Sequence, residues 1–144
     1  MQLPRSWFVP ALVLVAAGGL AVGYSLGQEK KVNTRLYELR TYTTLEGRLP
    51  ALHKRFAEHT LKLFEKHGMK NEMYFVPTDP ARKDNTLIYI VSHDNQEAAD
   101  KSWKAFQADP EWAKARDASE KDGKIVAKVE RVFMTMAEYS PGSR

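Results

Sequence analysis

The sequence predicts an α+β domain of ferredoxin-like order, βαββαβ, a four-stranded antiparallel sheet with helices on one face. Three observations lead there. Strand-like runs over 35–43, 70–77, 86–92 and 125–139 alternate with helical periodicity over 48–67 and 94–121. The joints carry turn chemistry: Gly47, Gly68, Thr78-Asp79-Pro80, Asp109-Pro110 and Gly123. The second and third strands are apolar on both sides, Met73 and Phe75 against Tyr74 and Val76, and Leu87, Tyr89 and Val91 against Ile88 and Ile90. A strand buried on one face alternates with polar residues, and these do not. Two helices cover only one face. The other is therefore expected to meet the same face of a second copy, in an obligate homodimer with its sheets packed face to face.

The first strand, 35–43, sets Glu38, Arg40 and Tyr42 on one side and Tyr37, Leu39 and Thr41 on the other. The helix that follows starts near Pro50, at home in a first turn, and buries Leu49, Leu52, Phe56, Thr60, Leu63 and His67 at 3.6-residue spacing. Lys66 and His67 suit the negative end of its dipole, and Gly68 is its left-handed cap. After the second and third strands, Asp94 with Glu97 forms a capping box opening a helix that buries Ala99, Trp103 and Phe106. Asp109-Pro110 stops it and caps another, running through Trp112 and Ala115 to about 121. The last strand ends before Pro141-Gly142.

The 144 residues divide into a leader over 1–27, a signal peptide or transmembrane anchor, a polar linker over 28–34 and one domain over 35–141. Nothing from Ser6 to Gln28 is charged. Arg5 provides a short basic n-region, Trp7 to Leu26 the apolar stretch, and Ala21-Val22-Gly23 or Ser25-Leu26-Gly27 a cleavage site. The uncharged run also nears the roughly 20 residues that span a bilayer, so residues 7–26 anchor the chain if the leader is kept. The expected location is extracytoplasmic or periplasmic, with tethering to the inner membrane as the alternative to release. Gly19, Gly23 and Gly27 share a helical face, a small-xxx-small pattern that also arises in leaders with nothing to pack against.

A formal charge of +4 with no basic run points away from nucleic acid. The absence of cysteine excludes disulfides, thiolate nucleophiles and cysteine-bound metals. There is no Gly-rich phosphate loop, nucleophile elbow or paired-histidine metal motif, and no metal site is expected.

The strand Leu36 to Thr43, the helix text Phe56-Ala57-Glu58-His59-Thr60 ending Lys66-His67-Gly68, and the block Ser102 to Trp112 together resemble the NIPSNAP family. The likeness extends from Arg35 to Pro141. It implies a dimeric α+β barrel, in agreement with the two-sided strands. It implies little about chemistry: single-domain bacterial members mostly lack an assigned activity. The wider barrel superfamily includes cofactor-independent monooxygenases, haem-binding and haem-degrading proteins and isomerases.

Glu38, Arg40 and Tyr42 are the leading site candidates. If Tyr37, Leu39 and Thr41 pack on the helices, the triplet faces the barrel interior, where Tyr74 and Tyr89 join it. Arg40 would then clamp an anionic ligand beside Tyr74 and Tyr89, with Glu38 or Tyr42 transferring protons. The competing reading is that Glu38 and Arg40 neutralise each other, or partners across the dimer, and fix the register. His59, at the boundary of the first helix's apolar face, is a third proton-transfer candidate and an alternative haem ligand, though no cofactor is expected. His93 falls just after the third strand with no evident partner. Trp103, Phe106 and Trp112 read as core locking the helix pair to the sheet. The functional expectation is a homodimeric barrel that binds a small molecule or a partner protein. The alternatives are a cofactor-independent oxygenase or isomerase, and a haem protein.

Overall fold

The computed structural model describes residues 33–143. The leader over 1–27 and most of the linker lie outside the described residues. Among those described, no helix is long and apolar enough to cross a membrane.

Among the described residues nine elements follow one another: β1 (Leu36–Thr44), α1 (Leu49–Arg55), a π-helical turn (Phe56–Thr60), α2 (Leu61–Lys66), β2 (Lys70–Phe75), β3 (Thr86–His93), α3 (Gln96–Ala108), α4 (Pro110–Ser119) and β4 (Val126–Met134). The strands form one antiparallel sheet in the order β2-β3-β1-β4. This is the expected ferredoxin-like α+β arrangement. The core lies between sheet and helices, built from Leu52, Phe56, Phe64, Tyr89, Val91 and Phe106 with their neighbours.

Beyond shifts of one or two residues at strand and helix ends, three features differ from the sequence reading. Helix α3 is capped by Asn95, whose side chain accepts from the Ala98 amide at 2.9 Å, because Asp94 turns outward to pair with Arg35 at 2.8 Å. β4 ends at Met134 rather than near Tyr139, which is almost wholly exposed. The first helical region is interrupted: the Leu61 amide reaches back five residues to the Phe56 carbonyl, and Thr60 Oγ1 donates to the Arg55 carbonyl at 3.2 Å. The wide turn shifts the phase of the helix. It leaves His59 outside and lets Phe64 enter the buried side.

Asp109 caps α4 as expected, accepting from the Glu111 amide at 2.7 Å, with Pro110 at the first position. It also takes Lys66 Nζ at 2.9 Å and His67 Nε2 at 2.7 Å, so one carboxylate ties the end of α2 to the start of α4. Lys66 and His67 hold its pKa well below the usual carboxylate range.

Candidate functional site

Register decides which side each β1 residue faces. Glu38 pairs with Val91 and Phe133, Arg40 with Tyr89 and Arg131, and Tyr42 with Leu87 and Val129. Tyr89, Leu87 and Val91 belong to the core beneath the helices, so Glu38, Arg40 and Tyr42 face the helices too. The expected orientation is inverted. Leu39, with its cross-strand partners Ile90 and Val132, lies on the side that no helix among the described residues covers, as does Thr41, opposite Ile88. The physical reason is the helical layer itself, which brings Trp103 down as a hydrogen-bond donor for Glu38.

Glu38 has no solvent exposure, and both its oxygens are taken. Arg40 Nη1 donates to Oε1 at 2.9 Å, while His93 Nε2 at 3.0 Å and Trp103 Nε1 at 2.6 Å donate to Oε2. Burial pushes the carboxyl upward, but the bonds from His93 and Trp103 and the Arg40 charge outweigh it and hold the pKa below its ordinary value. An ionised carboxylate only accepts, so the proton on His93 sits on Nε2, and Nδ1 is left buried without a partner. The Arg40 guanidinium stacks 4.0 Å from the Trp103 ring centroid and 5.6 Å from that of Tyr42. Burial disfavours its charge, yet Tyr42, Tyr89 and Glu38 more than restore it.

The tyrosines gather on the helix side rather than in the barrel interior where they were expected. Tyr89 is fully buried, stacks on Tyr74 at 5.4 Å and meets Tyr42 edge-on at 5.3 Å. Its hydroxyl has no partner among the described residues, and burial raises its pKa well above that of an ordinary phenol. Tyr74 is also raised by burial, and its hydroxyl donates to Asn71 Oδ1.

His59 does not join this cluster. Its side chain is half exposed, 3.9 Å from Glu58, and lines a cavity of about 440 Å³ between α2 and α4 and an adjoining one of about 300 Å³. Neither cavity has Glu38, Arg40, His93 or Trp103 in its wall. A smaller cleft of about 190 Å³ opens beside Tyr42. The residues placed around Glu38 that the sequence reading missed are His93 and the indole of Trp103. Strand alternation carries a signal for His93: Tyr89, Val91 and His93 share a face, and β3 runs one residue further than its apolar run.

With both carboxylate oxygens accepting from protein donors and no exposure to solvent, Glu38 in this arrangement is not placed to take a proton from a substrate. The arrangement can fix register: it joins β1, the end of β3 and α3 through one charge.

The comparisons agree with the fold. A NIPSNAP family protein of unknown function from Agrobacterium tumefaciens is similar at 22% identity and TM-score 0.62, the match covering 74% of this chain and 92% of that one. A second NIPSNAP family protein from the same organism matches at 14% identity and TM-score 0.65, over 75% of this chain and 98% of that one. SnoaB, a cofactor-independent oxygenase from Streptomyces nogalater, is similar at 14% identity and TM-score 0.50, over 76% and 99%. At such identities the likeness is one of fold. Among curated proteins, none matches. The NIPSNAP family profile matches residues 37–141, from the Glu38 strand to the C-terminal turn, and the chain belongs to the NIPSNAP family.

Proposed function

We propose that this NIPSNAP protein is an exported or membrane-tethered homodimeric barrel that binds a small molecule and does no chemistry through Glu38. The observation that carries the dimer is the open face of the sheet. Met73 is 54% exposed, Phe75 47% and Val132 55%, and they flank the half-buried Leu39, Ile88 and Ile90 on the same side. An apolar patch of this kind, bordered on the same face by Thr41 and the Lys128–Glu130 pair, is costly to leave in water at roughly 25 cal/mol per Å². A second copy presents the same chemistry about a two-fold axis, and closing two such sheets makes the barrel. Residues 7–26 tether the assembly if the leader is retained.

The binding reading is supported by the condition of the polar cluster. SnoaB is named as a cofactor-independent oxygenase. Chemistry of that type here would need a proton acceptor other than Glu38, whose oxygens are filled by Arg40, His93 and Trp103. A Phe75→Asp, Val132→Asp double variant tests the assembly. It is expected to sediment as a monomer or to unfold, whereas the same substitutions leaving a dimer of unchanged affinity would refute the proposed interface.

A further inference from the structure

We infer that the cleft between the β4 edge and α4 binds a small aromatic carboxylate, an inference that rests on the ligand-binding reading above and gives it a site and a chemical class. The cleft encloses about 190 Å³. A cavity of ~150 Å³ is enough to hold a benzene ring, so the volume suits one ring bearing one charged group. Its apolar walls are Tyr42, Trp112, Val126 and Val129.

Val129 marks where the covering layer runs short. It is the cross-strand partner of Tyr42 on the helix-facing side of the sheet, yet it remains 43% exposed, while Tyr89 on the same side is fully buried. The helices leave this strip of the covered face open, and the aromatic faces of Trp112 and Tyr42 border it.

Arg55 supplies the second, independent observation. Its side chain is 3% exposed, and it lines the cleft from the end of α1. A guanidinium has five N–H donors. Among the described residues its bonds are two long contacts from Nη1, to Ser119 Oγ at 3.2 Å and Glu120 Oε1 at 3.4 Å, and the buried Nε has no partner there. Arg40, whose Nε is likewise unpartnered among the described residues, has one close carboxylate at 2.9 Å, which Arg55 lacks. A buried guanidinium so loosely matched is expensive unless a further anion arrives, and a planar carboxylate is the partner its fork fits. Glu120 is also committed elsewhere, accepting from the Ile125 amide at 3.3 Å.

The charge balance agrees. Arg55, Arg116 and Lys124 line the cleft against the single acid Glu120. Arg116 pairs outward with the exposed Asp117, and Lys124 makes no ion pair among the described residues. The Arg55 guanidinium also lies 5.2 Å from the Trp112 ring centroid, which places cation and aromatic wall side by side. A ring against Trp112 and Val129 with its carboxylate on Arg55 satisfies both.

The test is a titration of the full-length protein with benzoate and with neutral benzamide, followed by two-dimensional ¹H–¹⁵N NMR. Benzoate is expected to shift the Trp112 indole N–H and the Val129 amide saturably, and benzamide to bind at least about tenfold more weakly, the range set by a hydrogen bond to a charged group. Arg55→Lys should weaken benzoate by a similar factor. If that variant does not fold, an Arg116→Gln, Lys124→Gln double variant, altered only at exposed positions, should still weaken it about threefold or more. Equal binding of benzamide, saturable shifts confined to another surface, or an affinity indifferent to the cationic substitutions would each overturn the assignment. A benzoate titration with no shifts would overturn it too. The homodimer on which the broader reading rests is judged separately, by sedimentation of the same sample.

Discussion

Beneath the helices the sheet carries Glu38, Arg40, Tyr42, Tyr89 and His93, whereas on its other side it carries Leu39, Met73, Phe75, Ile88, Ile90 and Val132. A monomer in water would be expected to distribute these the other way round, with charge outward and aliphatics inward. The covered face tolerates its charges because they satisfy one another: one carboxylate receives three donors from three elements. The open face has no such internal answer, since apolar groups can be satisfied only by more apolar surface. The contrast separates the roles. In the proposed dimer, the polar cluster holds one protomer's layers in register and the aliphatic face packs against its copy.

The largest way to break the comparison is at its centre. Glu38→Ala leaves Arg40, His93 and Trp103 facing an uncompensated buried void, and should lower unfolding free energy by about 3–5 kcal/mol, measured by urea denaturation. A loss under about 1 kcal/mol would mean that the cluster contributes little to the fold. On the open face, Phe75→Ala is expected to weaken dimerisation by about 2 kcal/mol or more while leaving the Glu38 cluster intact, read by concentration-dependent sedimentation. Trp103→Phe keeps the ring but removes the indole donor to Glu38, and should cost about 1.5–3 kcal/mol of stability.

Acid offers a finer probe of the same network. The Glu38 pKa is lowered in the folded state, so its contribution is complete above the unfolded carboxylate value of about 4.3 and is lost as the pH falls through the folded value. Asp109, lowered in the same direction, adds to that loss. Wild-type stability should therefore decline below about pH 4, and Glu38→Gln should flatten part of the decline. An identical slope in both proteins would remove Glu38 from the account. The smallest effect belongs to His59: His59→Ala, at a half-exposed position away from the cluster, should change stability by no more than about 0.5 kcal/mol.

Much of this was legible in the chain. Two-sided apolar strands, Gly68 at positive φ after the first helix and the Asp109-Pro110 cap determine the element order without reference to any partner. Glu38, Arg40 and Tyr42 stood out because charge and phenol alternate inside an otherwise apolar strand. Their direction was not legible, since alternation says which residues share a face but not which face the helices cover. That was decided by Trp103, whose ring reads as plain core in a helical pattern while its N–H is the polar part that matters. The π-helical turn was equally hidden. An extra residue in one turn has no signature in the 3.6-residue pattern beyond a slip, and the slip moved His59 out and Phe64 in.

The central claim, that one face is sealed by its own protomer and the other by a second copy, is tested most directly by sedimentation equilibrium of the wild-type protein at low micromolar concentration. A single species of twice the protomer mass is predicted. A stable, soluble monomer with the open face left in water would contradict it.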